Sequence, residues 1–99
     1  MQLYGTIILD EFAAAHPDCR GYVAAWRMEV ETVTWTTPRQ LQERHFTAQI
    51  AKGGRVVFRL LKGLYMLDTK VRFDRGIVLV ENAWVDGQPA KAATRTSKK

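Results

Sequence analysis

Apolar positions in the first third of the chain recur at helical spacing, and in the remainder they alternate as in strands. Leu9, Phe12, Ala13 and His16 fall at i, i+3, i+4 and i+7, which predicts one buried stripe of a helix. Thr6 is placed to cap that helix, and Asp10 and Glu11 lie in its first turns, where the helix dipole favours acids. Ile7 and Ile8 fit the stripe badly. Either a short edge strand at Gln2–Tyr4 runs on through Leu9, or the two isoleucines form an exposed apolar patch for a partner. His16-Pro17-Asp18 interrupts the pattern, after which Cys19, Tyr22, Val23, Trp26, Val30 and Val33 mark a second helix to about Thr32. A second break at Trp35–Pro38, with Thr37 as cap and Pro38 at the first helical position, predicts a short helix ending at Arg44.

Beyond His45 the period falls to two. Strands are expected at Phe46–Ile50, Arg55–Leu61, Leu64–Phe73 and Ile77–Trp84, joined by turns at Lys52-Gly53-Gly54, Lys62-Gly63 and Asp74-Arg75-Gly76. Alternation puts Val56, Phe58, Leu60, Tyr65, Leu67, Thr69, Val71 and Phe73 toward the helices. The opposite face then carries Arg55, Arg59, Lys70 and Arg72, with Met66 and Asp68 between them. The continuous run Ile77–Val80 predicts burial on both faces at the start of the last strand, and the side taken by Trp84 stays open. Helices first and hairpin-linked strands afterwards read as an α+β fold with N-terminal helices packed on one face of an antiparallel sheet. Residues 1–84 form one domain in this reading, and residues 85–99 a flexible basic tail.

Charge adds a direction to this picture. Residues 1–37 hold two arginines against five carboxylates, while residues 38–99 hold thirteen Lys or Arg against five, so a net charge of +5 is the sum of an acidic front and a basic rear. A basic sheet face open to solvent is a phosphate track, and outward aromatic rings on it would stack bases. Arg55, Arg59, Lys62, Lys70 and Arg72 are the candidates for contact with a nucleic acid, which the resemblance described below makes RNA. Of the two histidines, His16 at a helix end reads as a cap or dipole partner, and His45 at the start of the sheet reads either as a solvated histidine before a strand or as an acid–base group; His45 and Arg59 are the catalytic candidates. Cys19, the single cysteine, falls on a buried stripe and fits a reducing compartment. The chain has no clustered metal ligands and no phosphate-binding glycine loop, so neither a metal nor a cofactor is expected. It also has no apolar run long enough to span a bilayer and no basic leader at Met1, so the expected location is the cytoplasm.

Several motifs in order resemble the HigB-type toxins of bacterial type II toxin–antitoxin systems, within the RelE-like superfamily. They are Leu9, Glu11-Phe12, His16-Pro17-Asp18, Ala25-Trp26, Glu29-Val30, Trp35 and Thr37-Pro38, followed by the stretch GGRVVFRLLKGLYMLDTKVRFDRGIVLV at residues 53–80. The resemblance implies a RelE-like fold and a ribosome-associated mRNA endonuclease that inhibits translation without a metal. It also implies a HigA-like helix-turn-helix antitoxin as partner, besides mRNA and the ribosome, and Ile7 and Ile8 are candidate partner contacts. In that chemistry the ribose 2′-OH attacks the adjacent phosphate, a base takes its proton, and cations stabilise the charge that develops. The chain departs from the family pattern at two places. Met66 stands where members carry an arginine after the tyrosine of the fourth strand, and residues 82–89 lack the Thr-His-x-Glu-Tyr-Asp-like segment. The alternative these departures leave open is a catalytically impaired HigB-like fold that binds RNA or protein.

Overall fold

The computed structural model describes residues 1–60 and 63–86. Their order is β1 (Gln2–Tyr4), α1 (Thr6–Ala15), a 3₁₀ turn at Pro17–Cys19, α2 (Arg20–Thr32), α3 (Pro38–Arg44), β2 (Gln49–Ile50), β3 (Arg55–Leu60), β4 (Tyr65–Arg72) and β5 (Ile77–Val85). The strands form one sheet in the order β1-β5-β4-β3-β2. Only the β1–β5 pairing is parallel; every other neighbour is antiparallel. The architecture is α+β, with three helices against a five-stranded, mostly antiparallel sheet.

The helical stripes close on one sheet face. Leu9 and Phe12 of α1, Val23, Trp26 and Val30 of α2, and Leu41 of α3 are buried against Val56, Phe58, Leu60, Leu67, Val71, Val78 and Val80. Thr69 is the buried polar residue of this layer, and its hydroxyl donates to the Val56 carbonyl at 2.7 Å, so its burial leaves no donor unpaired. Tyr65 also points inward. Its hydroxyl donates to Asp18 Oδ2 at 2.6 Å, and its ring meets Phe12 and His16. That bond, with burial second, pushes the phenol up to about 12. His16 ends α1, as expected of a cap, with its N–H on the Phe12 carbonyl.

Local structure departs from the expected pattern at several places; Tyr22, expected on the buried stripe of α2, is 47% exposed. Thr6 is the first helical residue rather than the cap; the chain enters α1 through Gly5 at φ 77°, where a Cβ would run into the Val80 carbonyl. The strand expected from Phe46 is only Gln49–Ile50. The Gln42 side-chain amide donates to the carbonyls of His45, Phe46 and Ala48, which holds this stretch in a turn and leaves Phe46 83% exposed. Ile77–Val80 is not buried on both faces: Val78 and Val80 are inside, and Leu79 is exposed, because nothing among the described residues covers the second face there. Finally, β5 runs to Val85 and contains a bulge opposite Asp68 and Thr69. Asp68 pairs with Asn82 and Thr69 with Val80, which leaves Glu81 as the extra residue.

Candidate nucleic-acid interface

The face away from the helices is built by the complementary set of alternating positions. In register across the sheet stand Tyr4, Leu79, Lys70 and Arg55; then Asn82, Asp68, Val57 and Gln49; then Trp84, Met66 and Arg59. Arg72 and Ile77 form the row at the other end. Arg55, Arg59, Lys70 and Arg72 thus share one face, as alternation predicts. Lys62 lies outside the described residues, as does most of the expected tail; Val85 belongs to β5.

The face is less basic than its cations alone would make it. Arg55 grips Asp68 through two parallel bonds, Nε to Oδ1 and Nη2 to Oδ2, each 3.0 Å. Such a fork against a carboxylate is the strong form of ion pair. The field of Glu81 also reaches Arg55. Arg72 pairs with Asp74 in the following turn at 3.1 Å and holds that carboxyl below its ordinary range. Among the described residues, Arg59 and Lys70 have no ion-pair partner. Met66 is buried on this face although it sits in register between Arg59 and Trp84.

Trp84 resolves to the open face. With Gln49, Ile50, Ala51, Arg55 and Val57 it lines a cleft of about 290 Å³. Val57 and Arg55 belong to β3, two strands from β5, so the cleft spans β4. Trp26 and Trp35 are buried, at 3% and 4% exposure, and serve the core.

His45 and Arg59 are not brought together. His45 follows α3 on the helical side, where its ring packs edge-on against Phe58 and Trp35 at centroid distances of 5.1 and 5.6 Å. Phe58 and Arg59 are consecutive in β3, so the sheet lies between the imidazole and the Arg59 side chain. Nε2 of His45 is shut off from solvent and stands 3.2 Å from Glu29 Oε2 without forming an aligned hydrogen bond. The same carboxylate oxygen takes the Arg44 Nε at 2.5 Å. Burial pushes the imidazole below its ordinary 6.5, outweighing the pull of Glu29. His45 is therefore a neutral packing group of the helical layer, and an RNA strand on the open face does not reach it.

This depression has a sign that can be checked. The folded chain resists protonation of His45 more than the unfolded chain does, so the associated stability is full above the unfolded value of 6.5 and is lost as pH falls through the lower folded value. The melting temperature is expected to fall between pH 7.5 and 5.5, and His45→Gln should flatten that slope. Equal slopes in thermal melts of the two proteins would contradict the assignment.

The other expected site residues separate as well. Ile7 is 65% exposed on α1, whereas Ile8 is half-buried and lines a cleft of about 270 Å³ with Glu11, Phe12, Glu81, Asn82 and Ala83. The two isoleucines therefore do not form one apolar patch. The Cys19 thiol is buried, and burial followed by the charge of Asp18 raises it above 9.0, which removes it as a nucleophile near neutral pH. Among the described residues, no group of three or more His, Cys, Asp or Glu is placed to hold a metal, and no helix is long and apolar enough to cross a membrane. No known family model matches the chain, and no match to it was found among curated proteins.

Proposed function

We propose that this chain is the toxin component of a type II toxin–antitoxin pair, HigB-like in kind, that binds mRNA at the ribosome through its open sheet face, cleaves it and so blocks translation in the cytoplasm. The observation that carries the reading is the face itself: Arg55, Arg59, Lys70 and Arg72 point outward from adjacent strands, Trp84 stands among them, and the helices take the opposite side. A cationic sheet with an aromatic platform suits single-stranded RNA, whose phosphates and splayed bases are both accessible. N-terminal helices on one side of a mostly antiparallel sheet also agree with the RelE-like arrangement that the sequence motifs imply. The neutralising partner in this reading is a HigA-like helix-turn-helix antitoxin, and exposed Ile7 beside the Ile8–Glu11 cleft is its candidate contact.

One observation favours a second reading, binding without cleavage. Transesterification at the ribose 2′-OH needs a base on the RNA side. His45 is behind the sheet, and Asp68, the carboxylate within the face, is committed to Arg55. The cations can hold the strand and stabilise phosphate charge, but neither His45 nor Asp68 stands free on the RNA side to take the proton.

Expression of the chain in a bacterial host lacking the antitoxin distinguishes the readings. Growth arrest with cleaved transcripts is the result expected of a nuclease. Arrest with intact transcripts and stalled translation is the result of the binding form. Normal growth at full soluble expression rejects both.

A further inference from the structure

We propose that the cleft beside Trp84 is a nucleobase site, taking one unpaired base of the RNA strand; the inference rests on the open-face reading above and assigns it a base-holding residue. The cleft, about 290 Å³, is at the lower end of small-molecule pockets and suits a single ring system. Its walls have the chemistry a base needs. Trp84 supplies an aromatic surface, and Val57, whose side chain shares the open face, supplies apolar contact. Exposed Gln49 brings an amide that both donates and accepts, as the edge of a base requires. The guanidinium of Arg55 is a planar cation already fixed by Asp68, so it offers a rigid second surface with little ordering cost. Lys70, the register partner of Arg55, stands next to this cleft with no ion-pair partner among the described residues, in position for the phosphate attached to the base.

Trp84 is held for this role by the β5 bulge. Without the extra residue at Glu81, the alternation set by Val78 and Val80 would send Trp84 into the helical layer; with it, Ala83 and Val85 turn inward and Trp84 outward. The indole is half-buried, which orients it, yet it remains the one accessible tryptophan among the described residues, since Trp26 and Trp35 are enclosed.

The test uses the full chain, a single-stranded RNA of about six nucleotides, and a strand of the same length with abasic riboses. RNA is expected to quench a fluorescence component that Trp84→Phe removes from the spectrum. Trp84→Ala should weaken RNA binding about tenfold to a hundredfold with an unchanged salt dependence, because no charge has been removed. Trp84→Phe should keep most of the affinity, and the abasic strand should bind wild type and Trp84→Ala alike. If folded Trp84→Ala binds the RNA within about twofold of wild type, the base site is wrong while the open-face reading stands. If the wild-type chain binds neither strand, the open-face reading itself fails and the base site with it.

Discussion

Phe58→Ala is expected to destabilise the chain by about 3–5 kcal/mol, the cost of deleting a fully buried aromatic side chain and leaving a cavity. Phe58 is 1% exposed at the centre of β3, and three rings converge on it: Trp26 at 5.2 Å, His45 at 5.1 Å and Trp35 at 6.3 Å between centroids. These come from α2, from the loop after α2 and from the end of α3, so one side chain joins the sheet to most of the helical layer. Small domains have roughly 5–15 kcal/mol of stability in total, and the loss would bring this one close to its unfolding threshold. Urea unfolding should show a much lower midpoint, and the emission of Trp26 and Trp35 should shift red. Phe58→Leu, which keeps most of the volume, should cost less than about 1.5 kcal/mol. A midpoint unchanged by Phe58→Ala would mean that this aromatic junction does not hold the two layers together.

The junction was legible in part from sequence. Trp26 stands on the stripe of α2, and Phe58 alternates with Arg59 along β3, so both were expected to face inward. That His45 would join them was not. A histidine beside an arginine at the start of a predicted strand reads as an edge residue, and the reason it is not one lies in Gln42. Its amide satisfies three backbone carbonyls, at His45, Phe46 and Ala48, and converts the expected strand into a turn that folds the imidazole back under Trp35. A glutamine at the end of a short helix carries no local signal of that kind.

The last strand shows the opposite limit. A period-two pattern carries the inward and outward assignment only while register is continuous, and a single inserted residue exchanges the faces beyond it. The bulge at Glu81 does so, so the side taken by Trp84 depends on pairing with β4 and not on the strand's own residues. Charge was legible as a total and, through Asp68, partly as a field, but the pairings were not. The cations of the open face are where alternation puts them, but Asp68 and Asp74, spaced unremarkably in sequence, occupy Arg55 and Arg72.

That distribution sharpens the functional expectation. The double variant Arg59→Ala with Lys70→Ala is expected to abolish growth inhibition and to reduce RNA affinity roughly thirtyfold to a thousandfold, at ~1–2 kcal/mol for each lost cation–phosphate contact. Arg59 and Lys70 are the cations of this face with no ion-pair partner among the described residues, so they give their full charge to a bound strand. Counterion release then makes a second, independent expectation: the slope of log K against log salt should fall by about 1.4, at ~0.7 per single-strand phosphate. Arg72→Ala should cost less, since its charge is shared with Asp74. Both altered side chains of the double variant point away from the core, so its stability should stay within about 0.5 kcal/mol of wild type. Electrophoretic shifts at several salt concentrations, read beside a thermal melt, separate these effects from unfolding. A folded double variant that still arrests growth and keeps the wild-type salt slope would show that the two cations without an ion-pair partner among the described residues do not contact the strand, and would overturn this assignment.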